Sequence, residues 1–199
     1  MQGKRFDAGY FDKWYRHPDH RVGTAADLAR LVRFAVMSAE YVLARPIRSV
    51  LDVGAGEGRW QPLLRKLRPT ARYYGVDPSE YVVRRYGKRR NIVLGTLDDI
   101  TGIFPDRQFD LVVSCSVINY LPRDTMIRGI RNIAQLTGGL AYLEIFTSED
   151  DVEGDTNGWH SESRAAYRRI TQSAGLIPCG LHCYIPDANA STVVGLERA

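Results

Sequence analysis

The stretch Val50-Leu51-Asp52-Val53-Gly54-Ala55-Gly56-Glu57-Gly58 most constrains what this chain can fold into. A short apolar, strand-like run ends in closely spaced glycines where an amphipathic helical stretch begins. Glycine at such a junction lets the backbone turn tightly and lets a ligand approach the main chain. A phosphate loop of the form G-x-x-x-x-G-K-[ST] fails, because Arg59 stands five after Gly54 and neither Lys-Ser nor Lys-Thr follows. The dinucleotide fingerprint G-x-G-x-x-G is also broken. Its third glycine comes one place early, at Gly58, and Glu57 sits badly beside a pyrophosphate. A plain turn without a ligand is the remaining rival. Asp77 argues against it: the residue lies 19 positions after Gly58 at the end of a second strand-like run, in Tyr74-Gly75-Val76-Asp77-Pro78-Ser79. Ligands of open α/β sheets bind outside the carboxyl ends of the strands, and a carboxylate there can accept from both hydroxyls of a ribose.

Around this loop, apolar runs alternate with helical ones. Strands are expected at 49–53, 72–76, 91–94, 109–114 and 140–146, and helices at 59–67, 79–86, 123–136 and 161–174. Strands with few polar residues, separated by helices, imply a parallel sheet covered on both faces. Two extended stretches then follow without a helix, 176–185 and 191–196, joined by Pro186-Asp187-Ala188-Asn189-Ala190, which predicts a terminal hairpin. The expected fold is α/β: a doubly wound, seven-stranded, mostly parallel sheet with a C-terminal antiparallel hairpin strand and helices on both faces. Residues 49–199 would form the core. Residues 1–48 would form a helical lid or cap, with a long helix opening at Thr24-Ala25-Ala26-Asp27 in capping-box-like spacing. Tyr10, Phe11, Trp14 and Tyr15 precede that helix at a spacing that puts them on one helical face.

The ordered set of motifs resembles the class I S-adenosylmethionine-dependent methyltransferases over roughly three quarters of the chain, from Ser49 to the terminal hairpin. V-L-D-V-G-A-G-E-G is similar to that family's first motif and G-V-D-P-S to its acidic second motif. Leu94-Gly95-Thr96-Leu97-Asp98-Asp99-Ile100 resembles its adenine-contacting loop, and the segments 109–121 and 138–144 its fourth and fifth strands. The resemblance implies S-adenosyl-L-methionine as cofactor and S-adenosyl-L-homocysteine as product. It implies that Gly54, Ala55 and Gly56 pass the methionine part and that Asp52 orients the loop. Asp77 would hold the ribose, Leu97 and Asp98 would meet adenine, and Cys115 or Ser116 would lie near the sulfonium. Thr96 departs from the pattern, since many members carry Asp there. The aromatic segment ahead of the core resembles one that closes over the cofactor in some small-molecule members.

Methyl transfer is a displacement for which the protein mainly binds and aligns. A base helps when the acceptor must lose a proton. The candidates are Tyr15, Glu144 and His182, with His160 beside Trp159 as a further one; His17 and His20 flank Pro18 and read as turn residues. The run Ser116-Val117-Ile118-Asn119-Tyr120 lacks the Asn/Asp-Pro-Pro-aromatic signature of nucleic-acid amino-methyltransferases. The acidic pairs of the metal-dependent catechol type are also missing, and the run Glu149-Asp150-Asp151 with Glu153 and Asp155 lacks calcium-loop spacing. No metal is therefore expected.

The net charge is +4, mild enough to help an anionic partner without requiring one. The basic run 84–90 reads as a solvated helix end, with a nucleic-acid patch as the alternative. Three cysteines, an odd number without CxxC spacing, argue against disulfides and zinc. With no secretory signal and no apolar run of about 20 residues, a cytoplasmic protein off the membrane is expected, as monomer or homodimer. The absence of an inserted recognition domain favours a small-molecule acceptor, methylated at nitrogen or oxygen. A methyltransferase acting on RNA or protein, and a non-catalytic cofactor-binding module, are the alternatives.

Overall fold

The structure is a computed structural model, and it describes residues 5–21 and 23–193. Seven strands form one sheet: β1 (Ser49–Val53), β2 (Arg72–Asp77), β3 (Ile92–Leu94), β4 (Phe109–Ser114), β5 (Thr137–Leu143), β6 (Leu176–Pro178) and β7 (Cys183–Pro186). Their order is β3-β2-β1-β4-β5-β7-β6. The first five strands are parallel, and β7 runs antiparallel to both β5 and β6. Among the described residues the α-helices are α1 (Ala8–Phe11), α2 (Ala25–Leu43), α3 (Trp60–Leu67), α4 (Glu80–Arg90), α5 (Ile100–Ile103), α6 (Arg123–Leu136) and α7 (Arg164–Ser173).

Side chains alternate across the strands and build two cores. Val50, Leu111, Val113 and Tyr142 face α2, α3 and α4 on one side. Leu51, Val53, Val112 and Leu143 face α6 and α7 on the other. The strand order reverses between β1 and β4, so the carboxyl ends of these neighbours open a crevice, the usual ligand position in such sheets. Within the segment 1–48, α2 is a wall of the core: Val32, Ala35, Val36 and Ala39 are fully buried. Its start carries the capping box, with Thr24 Oγ1 accepting from Asp27 N and the Asp27 carboxylate accepting from Thr24 N. The stretch ahead of α2 is what reaches the strand ends.

Three expectations shift. The helix read as 79–86 runs on to Arg90, because Gly87 lies inside it. There the missing side chain lets α4 approach the Ile92 carbonyl, 2.8 Å from where a Cβ would sit. The hairpin is present, but it joins β6 to β7 through residues 179–182, not through Pro186–Ala190. Residues 187–192 form a 3₁₀ turn instead of an extended stretch, and 194–196 lie outside the described residues. The fifth strand starts at Thr137, three residues earlier than read, and includes Gly138 and Gly139.

These two glycines have a physical reason. Phe109 pairs with Thr137 and Leu111 with Leu140, so β5 uses one residue more than β4 across the same span. That bulge presses Gly139 against the Asp110 carbonyl, where a Cβ would collide with backbone. Asn189 Nδ2 donates to the carbonyls of both glycines, 3.0 and 3.1 Å away. Gly139→Ala is therefore expected to destabilise the protein by about 1–3 kcal/mol, the range for forced overpacking, read as a lowered urea midpoint at unchanged slope.

Candidate active site

The loop after β1 is held from below by backbone bonds. The N–H groups of Gly54 and Ala55 both donate to the Val76 carbonyl at the end of β2, at 2.8 and 3.0 Å. Gly54, Gly56 and Gly58 all have positive φ (74°, 52° and 67°), which glycine adopts without strain. Their neighbours differ. A Cβ on Gly54 would strike Val117, and one on Gly58 would crowd Ile92 and Arg90, so packing demands these two. Gly56 faces the N-terminal segment: a Cβ there would lie 2.8 Å from Tyr15 Oη and 3.4 Å from Phe11. At Gly56 the main chain of the loop is thus met by side chains of the N-terminal segment, Tyr15 and Phe11, and not by core packing as at Gly54 and Gly58.

Asp77 closes β2 and is 5% exposed. Its Oδ2 accepts from Gly56 N at 2.7 Å and its Oδ1 from Ser79 N at 2.9 Å. Burial raises its pKa against these two bonds, and no cation offsets the charge among the described residues. Each oxygen keeps lone-pair capacity for a further donor. Asp52, below the same loop, is 3% exposed and accepts from Tyr73 Oη at 2.6 Å. Burial, opposed by that hydrogen bond and aided by the Asp77 charge, lifts its pKa to about 7.

Residues 6–16 cover this loop. The helix α1 continues into a π-helical turn, Asp12–Arg16, which His17 N closes on the Asp12 carbonyl. Phe11 is buried, contacts Tyr15 edge-on (5.0 Å between ring centroids) and stacks on Tyr81 (5.9 Å). Arg16 donates to the Glu57 carboxylate in the loop, and Tyr86 Oη donates to the same carboxylate at 2.9 Å. Ser79 donates to the Phe6 carbonyl. The widened turn separates the four aromatics: Tyr10, Phe11 and Tyr15 form a chain, whereas Trp14 turns outward against Lys13 and His20. Burial drives the Tyr15 pKa up, so its hydroxyl stays protonated near neutral pH and can donate.

On the far side of the crevice, Ser116 (φ 54°) donates to Glu144 Oε2 at 2.6 Å. Cys115 is partly buried, and burial, with the Glu144 and Asp52 charges, pushes its thiol pKa well up. The structure thus brings Asp52, Gly54, Ala55, Gly56, Asp77, Cys115, Ser116, Glu144 and Tyr15 to one end of the sheet. His182 lies on the rim in the β6–β7 turn, its carbonyl accepting from Leu143 N and its ring 5.7 Å from Phe146. Leu97 and Asp98 lie in the loop after β3. The Leu97 side chain is buried in the core against Gly129 of α6, so it has no face left for a ligand. Asp98 is engaged with Thr96 Oγ1 (2.8 Å) and Arg128 (3.4 Å). His160 sits in the loop after β5, tied by its backbone to Asn119.

Two residues at the site carry more than the sequence suggested. Glu57 joins the glycine loop to Arg16 and Tyr86, and Arg90 of the basic run donates to its carbonyl. Asn119 is 1% exposed; it donates to the carbonyls of Phe146 and His160, and its Oδ1 accepts from Phe146 N. It thereby locks the loops after β4 and β5 together. A charged residue inside a glycine turn was the available signal for Glu57; Asn119 offered none by itself. A concavity of about 160 Å³ between α6 and α7, lined by Arg123, Ile127, Arg131 and Arg169, lies away from the strand ends. We do not place the chemistry there, because the glycine loop, Asp77 and Glu144 are all elsewhere. Among the described residues no group of three His, Cys, Asp or Glu is arranged to hold a metal ion, and no helix is long and apolar enough to cross a membrane.

A family model for a methyltransferase domain matches residues 19–177. The chain belongs to the methyltransferase domain family. Similar solved structures include a methyltransferase in complex with the Trm112 activator from Haloferax volcanii (25% identity, TM-score 0.55, covering 76% of this chain and 74% of that one). Another is the magnesium protoporphyrin IX methyltransferase of Synechocystis with bound S-adenosylmethionine (20%, 0.56, 86% and 82%). A third is an S-adenosylmethionine-dependent methyltransferase from Archaeoglobus fulgidus (15%, 0.62, 84% and 72%). A search of curated protein sequences finds no match. The protein is a methyltransferase with the α/β fold of these S-adenosylmethionine-dependent enzymes. The residues present fit S-adenosylmethionine, since a buried carboxylate with spare lone pairs stands beside a glycine that only side chains of the N-terminal segment cover.

The methyltransferase should show the Asp52 shift as a pH dependence of stability. An unfolded Asp titrates near 3.9, whereas folded Asp52 does so near 7. Between these values the folded state holds the extra proton, so stability is full below about pH 4 and is lost as pH rises through about 7. Asp52→Asn lacks this loss. The difference in melting temperature, variant minus parent, is expected to rise between pH 5 and pH 8; a constant difference would mean that Asp52 titrates normally.

Proposed function

We propose that this methyltransferase acts on nitrogen or oxygen of a small molecule, as a monomer or homodimer in the cytoplasm. The observation that carries this reading is the build of the crevice. One wall is the glycine loop with Asp77, the other is Ser116 and Glu144, and residues 6–16 roof it. The connection after β4 spans residues 115–122 and the longer one after β5 spans residues 144–163; the two are tied to each other by Asn119, and neither contains a strand or an α-helix that would make an added domain to grip a macromolecule. In this reading Asp77 holds the ribose hydroxyls, and Gly54, Ala55 and Gly56 pass the methionine part. Leu97 and Asp98 serve adenine through their main chain, and Cys115 and Ser116 border the transfer centre. S-adenosylmethionine supplies the electrophilic methyl group.

The chain's own residues then align and deprotonate. Ser116 fixes the Glu144 carboxylate, which takes the acceptor's proton; His182 stands further out on the rim as a second base. The Tyr15 hydroxyl is left to donate to the bound ligand, and Phe11 with Tyr15 excludes water, which strengthens the electrostatics of the site. RNA is the second reading, favoured by the exposed basic face of α4. Arg85, Arg89 and Arg90 lie 5.1–5.7 Å from the Tyr86 ring, where they also serve as packing.

Incubation with isotopically labelled methyl donor and separate small-molecule, RNA and protein pools tests the reading. Label in a small molecule supports it, and label confined to a macromolecule overturns it. Calorimetry is expected to show binding of S-adenosylmethionine and S-adenosylhomocysteine but not NAD. Asp77→Ala should weaken both by about tenfold to a few hundredfold, since a hydrogen bond to a charged group contributes about 1.5–3 kcal/mol. Tyr15→Phe should lower turnover clearly while shifting the melting temperature little, because among the described residues the Tyr15 hydroxyl forms no hydrogen bond. Unchanged turnover would reduce Tyr15 to packing.

A further inference from the structure

We propose that the acceptor is cationic, an amine on a flat or apolar body, seated against Tyr120, Phe146, Trp159 and His182 with its nitrogen toward Glu144. The inference rests on the small-molecule reading above and names the class of molecule for that same site.

The seat is built from the loops that follow β4 and β5. Tyr120 meets Trp159 edge-on at 5.1 Å (89°), Trp159 meets Phe146 at 5.9 Å, and Phe146 meets His182 at 5.7 Å. All four are partly exposed, so this is an open aromatic wall and not a core. Its shape is fixed from behind. Asn119 bonds the backbone of Phe146 and of His160, the residue after Trp159, and Tyr120 Oη donates to the Asp155 carbonyl. Partly exposed rings held in place attract cations through their quadrupoles.

Charge points the same way. From Glu144 to His160 the chain carries Glu144, Glu149, Asp150, Asp151, Glu153 and Asp155, and no Lys or Arg, within a protein whose net charge is +4. Asp150 accepts from Thr147 N and Oγ1 at 2.7 and 2.9 Å, which holds its pKa down and keeps it ionised. The fold gives the site; these carboxylates decide only the sign of what it takes, and they disfavour anionic acceptors by like-charge repulsion. Glu144 completes the case. Its Oε2 accepts from Ser116, while its Oε1 accepts no hydrogen bond among the described residues and is available to an ammonium N–H.

The step balances. The ammonium N–H bond breaks and its proton passes to Glu144 and on to solvent. The freed lone pair forms the N–C bond as the C–S bond of the sulfonium breaks, and that electron pair stays on sulfur.

The test is incubation of the full protein with labelled S-adenosylmethionine and a metabolite extract split by cation exchange at neutral pH into a cationic and a neutral-plus-anionic fraction. Label is expected in the cationic fraction. For the acceptor so found, Trp159→Ala should raise KM at least tenfold with cofactor affinity unchanged, Trp159→Phe should fall between, and Glu144→Gln should lower kcat. Label only in the neutral-plus-anionic fraction overturns the cationic acceptor and leaves the small-molecule reading standing. Unchanged KM in both Trp159 variants overturns the aromatic seat. Label in no small molecule overturns the reading beneath the inference, and the inference with it.

Discussion

The buried carboxylate of Asp77 is the point on which the site is assembled. One oxygen takes the Gly56 N–H and the other the Ser79 N–H. The loop after β1 and the entry to α4 are therefore positioned by the same group. The Val76 carbonyl just before it takes the N–H groups of Gly54 and Ala55. Two consecutive residues of β2 thus satisfy three amides of the glycine loop, which could not otherwise be buried without cost. Desolvation opposes the charge, and the raised pKa records that cost. Asp52 beneath the loop is under the same pressure, with Tyr73 as its partner. Two desolvated carboxylates without a cation between them are a poor choice for stability alone. They are intelligible at a site that binds a sulfonium cofactor, whose positive charge offsets theirs.

A second constraint acts from above. Residues 6–16 make a short helix and one π-helical turn, too little to stand alone. Their order comes from side chains that reach into the core unit. Arg16 meets Glu57 and Tyr86, Phe11 enters the core between Gly56 and Tyr81, and the Phe6 carbonyl receives Ser79. Each anchor lands on the glycine loop or on the first turns of α4, the elements that Asp77 positions. Cofactor loop and roof are therefore mechanically one object, and a change at Glu57 would be felt on both sides of the ligand.

The sheet was legible from sequence where apolar runs had clear punctuation. Strand β4 and helix α6 were read with their observed bounds, since Phe109–Ser114 and Arg123–Leu136 are bounded by polar and proline residues. The glycine loop, Asp77 and the carboxyl-end crevice were legible for the same reason: their spacing is imposed by the strand-to-helix handover. What failed was glycine and turn chemistry used against its usual sense. By its apolar run the fifth strand starts at Leu140, yet Gly138 and Gly139 belong to it as a bulged strand, and Gly87 reads as a helix end but lies inside α4. The β6–β7 turn uses Leu181 and His182 at φ 50° and 62° beside Gly180. Non-glycine residues in that conformation leave no mark in a sequence. The Leu97 side chain packs into the space that the absent Cβ of Gly129 leaves on α6, which leaves the main chain of Leu97 as the part that an adenine could meet.

Asn119 shows why the acceptor side is harder to read than the cofactor side. The cofactor loop is local: a strand end, a turn and a helix start within ten residues. The acceptor wall is assembled from three separate stretches, around Tyr120, Phe146 and Trp159, that meet because one buried amide satisfies their backbone groups. A buried amide with its partners in place rigidifies what it touches, and the same amide left without them would be costly. The wall is therefore specified by a residue that contributes no surface to it. The charge of that wall runs against the charge of the protein. Basic residues gather on α4, outside the cofactor loop, while the carboxylates gather on the loop after β5. On the proposed reading the acceptor would meet the acidic loop after β5, whereas the basic residues of α4 are gathered at the other end of the site, where Arg90 packs on Tyr86 and bonds the Glu57 carbonyl.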